Sequence, residues 1–495
     1  MSASSLSDVR HFAALPEARA AADPSAPAIA DDNLKLDNAG LLDRVNRAAA
    51  AFQRQGIGTG DVVAVVLPNR AELVISLFAA WRLGAAVTPV NPVLTKTEMQ
   101  YQVDDAGSKV IVGDGLELEG NVIEVGSLAD DPSGAALPEM PADTAAVALL
   151  IYTSGTTGKP KGVMLDQSNL YAMCRSAGEA FQISPEDHSL LILPLFHANG
   201  IIAGTLTPLL GGGRITIASR FSPKTFFGLV EQARPTYFSA VPAIYAMLTA
   251  LPESESADTS SLRFVVCGAA PAPVELIERV ESRFGVVLIE GYGLSEGTCA
   301  STINPIDGVR KPGTVGPAMP GQEVEVMDPD GNILPQGERG EVVIRGPVVM
   351  RGYLNKPEET AKTIIDGWLH TGDVGIIDED GYLRIVDRIK DMIIRGGENI
   401  YPKEIESALY THEGILEAAV VGRPDDVLGE VVVAYVSLRP DADVTVDELH
   451  ELCRDKLAKY KLPVEIHILD ELPKNPVGKI DKPTIRKRDQ AAATA

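Results

Sequence analysis

The sequence predicts an α/β protein: a large N-terminal domain of two layered α/β subdomains plus a small β-barrel, followed by a small α+β C-terminal domain. Three observations carry this reading. The chain has 495 residues, and single hydrophobic cores seldom grow past about 250–300 residues, so more than one domain is required. Short apolar runs alternate with helical periodicity as far as residue 305, the pattern of layered sheets and helices. The texture then turns to short strands and turns over 313–388, and a charged interruption at 387–391 separates that region from residues 392–495.

Residues 61–67 (DVVAVVL) read as a buried strand and 71–83 as an amphipathic helix, so the first 150 residues suit a largely parallel sheet. A second block, 185–305, repeats the style with apolar strands at 190–193, 237–241, 264–267 and 286–289, but no fixed-period repeat relates the two halves. In the third region, 323–327 and 341–345 flank the turn Asp328-Pro329-Asp330-Gly331, as in a small twisted sheet or barrel. Strand-like 382–386 and 392–394 bracket Asp387-Arg388-Ile389-Lys390-Asp391, which places the domain boundary at 388–391, between 1–387 and 392–495. Beyond it, Pro402 suits the first position of a helix and Thr445-x-x-Glu448 reads as a capping box. Leu449, Leu452, Cys453 and Leu457 then fall on one helical face. The tail from Arg486 is polar or small and is expected to fray.

Composition excludes several functions. Lys and Arg number 44 against 68 Asp and Glu, a formal charge of −24 that repels phosphate backbones and anionic membrane surfaces alike. No nucleic-acid partner is expected. No uncharged apolar run approaches the roughly 18–20 residues of a membrane span, and the N-terminus lacks a basic stretch leading into an apolar core, so no integral membrane segment and a cytoplasmic location are expected. Cys174, Cys267, Cys299 and Cys453 are scattered without a CxxC pair, which suggests reduced core residues rather than disulfides or a zinc site. Oligomeric state is not legible.

The segment richest in chemistry is Tyr152-Thr153-Ser154-Gly155-Thr156-Thr157-Gly158-Lys159-Pro160-Lys161-Gly162, which follows an apolar strand. Its glycines free the backbone to present N–H groups, its hydroxyls add donors and its lysines add positive charge, a composition suited to cradling phosphates. A plain surface loop has the same small polar residues. It is not a Walker A loop, because Pro160 follows Lys159 and strand-like Val163-Met164-Leu165 comes next instead of a helix.

This segment, with Glu290-Gly291-Tyr292-Gly293-Leu294-Ser295-Glu296, Tyr353-Leu354-Asn355-Lys356-Pro357, Trp368-Leu369-His370-Thr371-Gly372-Asp373, Asp387-Arg388-Ile389-Lys390-Asp391 and Pro473-Lys474-Asn475-Pro476-Val477-Gly478-Lys479, resembles the adenylate-forming superfamily of acyl-CoA synthetases, luciferases and nonribosomal-peptide adenylation domains. The texture is most similar to bacterial acyl-CoA ligases. The resemblance implies a two-step reaction: a carboxylate attacks the α-phosphate of ATP and releases pyrophosphate, then the acyl group passes from AMP to the thiol of coenzyme A. ATP, Mg2+ and coenzyme A are the implied cofactors and co-substrates, and a small-molecule carboxylic acid the implied partner.

By the same resemblance, Thr153, Ser154, Gly155, Thr156, Thr157, Gly158 and Lys159 would hold phosphates. Gly268, Ala269 and Ala270 would press against the adenine, with Tyr292 stacked on it beside Gly293. Glu296 would ligate magnesium. Asp373 would accept from the ribose hydroxyls, Arg388 would contact ribose or α-phosphate, and Lys479 would bridge the acid carboxylate and an α-phosphate oxygen. Lys390 matches the hinge of a mobile C-terminal domain, whose loop Gly396, Gly397 and Glu398 would face coenzyme A. Phe196, His197, Asn199, Gly200, Ala240 and Val241 would line the acid pocket, with His197 as gate or orienter. Without the resemblance, Lys479 reads as a solvated tail lysine, Glu296 as an exposed glutamate, Asp373 with Arg388 as a surface ion pair and His197 as a core histidine.

The acid expected is an uncharged monocarboxylate, medium- or long-chain fatty or aryl, because the lining segments carry no Lys, Arg, Asp or Glu. Other readings stay open: a dicarboxylate–CoA ligase, an amide-forming or carrier-loading ligase, a luciferase-like oxygenase and, least supported, a non-catalytic nucleotide-binding relative. An amino-acid-activating site usually places an Asp where residues 194–200 here read PLFHANG.

Overall fold

The computed structural model describes the chain except residues 1–5, 7–8, 131–135, 154–158, 271, 397, 426, 441, 475–478 and 494–495. It divides into two compact units: residues 1–324 with 343–370 and 381–383, and residues 325–342 with 371–380 and 384–495. Residues 323–388 supply six strands, and the division cuts across them.

The first unit is built on two sheets. One has seven strands, with Val62–Val66, Ala86–Val90, Val110–Gly113 and Val147–Thr153 running parallel. The other has eight, with His188–Leu191, Arg214–Ile217, Tyr237–Ala240, Phe264–Cys267 and Val287–Tyr292 parallel. Strands Pro27–Ala30 and Lys35–Asp37 join this second sheet, Ile29 lying beside Ile215, so the chain's first strands leave the block that follows them in sequence.

Strand alternation sorts the cores. Val63, Val65, Leu191, Tyr237, Phe264, Val266 and Ile289 enter one large core common to both sheets. Their neighbours Ala64 and Val66 pack on the outer side of the first sheet, while Leu190, Phe238, Val265 and Leu288 pack on the outer side of the second. Both faces of each sheet are therefore covered, as parallel sheets require. Helix Ala71–Arg82 lies in the common core with Leu73 to Trp81 all buried, which is why its sequence is apolar nearly all round. The Trp81 indole N–H donates to the carbonyl of Ala148 at 2.9 Å.

The second unit closes around a sheet whose central hairpin is Ile415–Asp425 and Gly429–Leu438, with Ile393–Arg395, Glu398–Ile400 and Glu465–Leu469 alongside. Val420, Val432, Ala434 and Val436 pack with residues of helices Pro402–Tyr410 and Val446–Lys456. Alternate residues Ala419, Val421, Val433 and Tyr435 pack with Leu472 and Ile485. Thr445 and Glu448 form the expected capping box. The tail expected to fray is instead helix Lys482–Ala493. Ile485 and Asp489, one turn apart, tie it down: Ile485 is buried, and the Asp489 carboxylate accepts from the Arg423 guanidinium at 2.7 Å and from the Tyr435 hydroxyl. Among the described residues no helix is long and apolar enough to cross a membrane.

A buried arginine joins distant parts of the first unit. Arg19 donates to Asn38 Oδ1 at 2.8 Å, to the carbonyl of Leu209 at 2.5 Å and to that of Gly213 at 2.8 Å, and burial brings its pKa down to about 10. Arg19→Met should destabilise the protein by about 2–4 kcal/mol, because each buried acceptor left without a donor costs about 1–3 kcal/mol. A urea midpoint equal to that of the unsubstituted protein would contradict this.

Candidate active site

In the first unit the expected site residues sit at or just beyond the C-terminal ends of parallel strands, where open α/β sheets bind ligands. Thr153 ends Val147–Thr153, Ala240 and Val241 follow from Tyr237–Ala240, Gly268 to Ala270 follow Phe264–Cys267, and Tyr292 and Gly293 close Val287–Tyr292.

The glycine-rich segment is the connection of an antiparallel hairpin, Tyr152 lying opposite Gly162 and Thr153 opposite Lys161. A strand follows it, so the reading against a Walker loop holds. Ser154, Gly155, Thr156, Thr157 and Gly158 lie outside the described residues. The flanks are held by helix Lys96–Asp105: Tyr101 donates to the carbonyl of Pro160 at 3.1 Å and Tyr152 to Asp105 at 2.8 Å. Lys159 is exposed, its ammonium 5.5 Å from the centre of the Tyr101 ring. Lys161, counted with it as a source of positive charge, is instead buried and paired with Glu359 at 2.7 Å.

Phe196 and His197 are half-buried neighbours with ring centroids 4.6 Å apart, just before helix Ala198–Ile201 and the π-helical turn Ile202–Leu206. Such turns recur at functional sites. Gly200 admits no side chain, since a Cβ would stand 2.4 Å from the Pro194 carbonyl oxygen. Ala240 is buried and Val241 half-buried. Ala269 and Ala270 are exposed, and Ala269 holds a φ of +67°, a left-handed conformation that costs an alanine energy and clusters at ligand sites.

Glu296 stands in the turn Ser295–Gly297, half-buried, its Oε1 accepting from the Tyr353 hydroxyl at 2.9 Å and its carbonyl from the Met350 N–H at 2.9 Å. Burial first, then the Glu296 charge, push the Tyr353 phenol upward, so it remains a protonated donor. The Lys161 ammonium lies 4.8 Å from the Tyr353 ring centre. The sequence reading assigned no role to Tyr353, although the residue stands in one of the segments that carry the resemblance; only the fold shows which acid it holds.

The second unit gathers the remaining residues. Asp373 is buried and pairs with Arg388, Nε to Oδ1 at 3.0 Å. The turn before it is fixed: Thr371 donates its hydroxyl to the carbonyl of Val342 at 2.7 Å, and the Gly372 N–H donates to Glu341 at 2.9 Å. Lys479 is exposed by area, yet surrounding protein and then the Arg388 cation draw its pKa below the ordinary lysine value, against the opposing pull of Asp373. Asp373, Arg388 and Lys479 are thus one electrostatic group. Lys390, in the turn Ile389–Asp391, is likewise exposed by area, yet surrounding protein and then Arg388 lower its pKa, opposed first by Asp391. Asp391 is held by Arg486 at 2.7 Å, and Asp387 accepts from the Lys403 N–H at 2.7 Å. Gly396, at a φ of +61°, donates to the carbonyl of Leu428 at 2.7 Å, Glu398 is exposed, and Gly397 lies outside the described residues.

Polar groups at the strand ends of one unit, with a carboxylate, a guanidinium and an ammonium grouped in the other, are the equipment of an enzyme that handles anionic substrates. The chain belongs to the AMP-binding enzyme family: that family's model matches residues 16–354, and the AMP-binding enzyme C-terminal domain matches 404–479. It is 38% identical to a feruloyl-CoA synthase of Amycolatopsis sp over 96% of this chain and 98% of the relative. It is 36% identical both to an oxalate–CoA ligase of Arabidopsis thaliana (90% and 92% covered) and to a long-chain-fatty-acid–CoA ligase of Bacillus subtilis (92% and 90%). The ATP-bound crystal structure of MatB from Rhodopseudomonas palustris superposes with a TM-score of 0.91 at 31% identity, covering 98% of this chain and 99% of that one. The protein is an ATP-dependent, AMP-forming acid–CoA ligase.

Two glycines separate packing from ligand approach. A Cβ on Gly293 would meet the Cys299 carbonyl oxygen at 2.2 Å, whereas one on Gly268 finds only the Gly291 oxygen, at 3.5 Å. Gly293→Ala should lower the melting temperature by several degrees, and Gly268→Ala should leave it within about a degree. Any loss of ATP affinity in the second variant then reports contact with the nucleotide.

Proposed function

We propose that this ligase activates an uncharged monocarboxylic acid, fatty or aryl. One observation carries the reading: the lining segments 196–204, 237–245 and 265–270 contain no Lys, Arg, Asp or Glu. A dicarboxylate would leave its second charge buried and unpaired, at a cost of several kcal/mol. The relatives' names span an aryl acid, a dicarboxylate and a long-chain fatty acid, and the absence of a cation from the segments argues against the dicarboxylate.

The chemistry needs charge control more than a strong base. A carboxylate is a weak nucleophile approaching an anionic phosphate, so positioning and neutralisation must supply most of the acceleration. Lys479 bridges the two anions, and its lowered pKa reflects a crowded, already cationic setting that a pair of anionic reactants relieves. Asp373 holds the ribose hydroxyls with Arg388 beside it, Tyr292 stacks on adenine over Gly268 to Ala270, and the segment 153–159 receives phosphates. His197, flanked by Phe196 and small residues, orients the acid's carboxyl end.

Glu296 fits a magnesium ion. Among the described residues no group of three or more His, Cys, Asp or Glu could hold a metal by itself, and one half-buried carboxylate oriented by Tyr353 suits a hard cation that takes most of its ligands from phosphates and water. Such an ion supplies neutralisation of phosphate charge when bound. Lys390 serves as the pivot of a mobile C-terminal domain, and the loop of Gly396, Gly397 and Glu398 serves coenzyme A in the second step.

Lys479→Ala should lose about 10²- to 10³-fold in adenylation, the scale for deleting one transition-state donor, yet still form acyl-CoA from premade acyl-adenylate. Because the ammonium is the working form and its pKa is lowered, adenylation should fall as pH rises, beginning below the ordinary lysine range. Lys390→Pro should spare adenylation and slow thioester formation. Pyrophosphate release and coenzyme A consumption follow the halves separately, and equal loss of both in both folded variants would refute this division. In an acid screen, a dicarboxylate with the highest kcat/KM would refute the uncharged pocket.

A further inference from the structure

Two segments that line the proposed acid pocket carry buried polar atoms without a hydrogen-bond partner among the described residues, the Ser239 hydroxyl and Asn199 Oδ1. Ser239 as a whole is 8% exposed. Native proteins keep such orphans rare, because each costs about 1–3 kcal/mol.

Topology places both groups at the same level. The Tyr237 hydroxyl donates to the carbonyl of Ala203 at 2.9 Å, which fixes the strand against the helical segment. Ser239 lies two residues beyond Tyr237 and on the same face of the strand, in register with Val266 of the common core. Asn199 lies one turn before Ala203. The strands His188–Leu191 and Arg214–Ile217 are parallel neighbours, so the helical segment 198–210 between them must run back against the strands. Stepping from Ala203 to Asn199 and from Tyr237 to Ser239 therefore moves in one direction, by about 6 Å in each case, toward the strands' C-terminal ends and the acid pocket.

We propose that the acid carries a hydroxyl group on its body and that Asn199 and Ser239 read it. This rests on the uncharged-pocket reading above. The hydroxyl donates to Asn199 Oδ1 and accepts from the Ser239 hydroxyl, using both orphans at once. A bare alkyl or aryl group satisfies neither, and a second carboxylate only accepts, adding a charge that no lysine or arginine of the lining segments meets. A site built to hydrogen-bond a substrate hydroxyl discriminates strongly against the analogue that lacks it.

The test uses matched pairs, cinnamate with 4-hydroxycinnamate and octanoate with 8-hydroxyoctanoate, in pyrophosphate release with the full-length enzyme and ATP. For the better skeleton, the hydroxylated member should exceed its parent by about tenfold or more in kcat/KM, and Asn199→Leu and Ser239→Ala should each bring that ratio toward one. The matching acyl-sulfamoyl adenosines, whose Kd requires no turnover, should show the same preference with the unsubstituted protein even if a variant fails to fold. Equal or weaker kcat/KM and binding for the hydroxylated member of both pairs, or a ratio unchanged in both folded variants, overturns the hydroxyl proposal alone. A dicarboxylate outperforming every monoacid overturns the uncharged pocket instead.

Discussion

Covering both faces of two parallel sheets is the constraint on which the rest of the first unit depends. Once Val63, Leu191, Tyr237, Phe264 and Ile289 are committed to a common core and their neighbours to the outer layers, the sheets have no free face for polar chemistry. Parallel strands all end on one side, so the loops leaving them are the places where hydroxyls, small residues and a carboxylate can reach a ligand. Val241, Gly268 and Tyr292, far apart in sequence, share that position because each follows or ends a strand of the same sense in one sheet, and Thr153 ends a parallel strand of the other. The strained Ala269 and the collision-tight Gly293 stand at two of those endings, where the backbone gives up comfort for close approach.

Electrostatics organises the second unit. A chain with an excess of acid repels the anions it must bind, so local cations have to outweigh the global charge. Arg388, Lys390 and Lys479 are brought near one buried carboxylate, Asp373. For both lysines burial comes first and the Arg388 cation second in drawing the pKa down, against the opposing pull of Asp373 and, at Lys390, of Asp391. The helix Lys482–Ala493 supports this group at a distance: Arg486 holds Asp391 and Lys482 pairs with Glu406 at 2.7 Å, both within the surroundings of the charged turn.

The same logic explains a lysine that does something other than expected. Lys159 and Lys161 look equivalent in sequence, but strand alternation and the hairpin register bury the second beside Glu359 and the Tyr353 ring. It becomes part of the scaffold that orients Tyr353, and through it Glu296, rather than a free charge beside the glycine-rich segment.

Much of this protein was determined locally and could be read without coordinates. The strand at 264–267 and the helix over 71–82 follow from short-range periodicity, the capping box at Thr445 from residues three apart, and the exclusion of a Walker loop from Pro160 and the strand after it. The segments from Tyr152 to Lys479 also sufficed to name the family, because their chemistry depends on residue type in order. Tertiary structure alone decided what depends on residues distant in sequence. It drew the first strands, at 27–37, into the sheet of the second block, made a helix of the polar tail because Asp489 meets Arg423, and paired Asp373 with Arg388. It also left the Ser239 hydroxyl and Asn199 Oδ1 buried without a partner among the described residues. Burial and pairing are properties of the neighbours that folding supplies, and no window along the chain contains them.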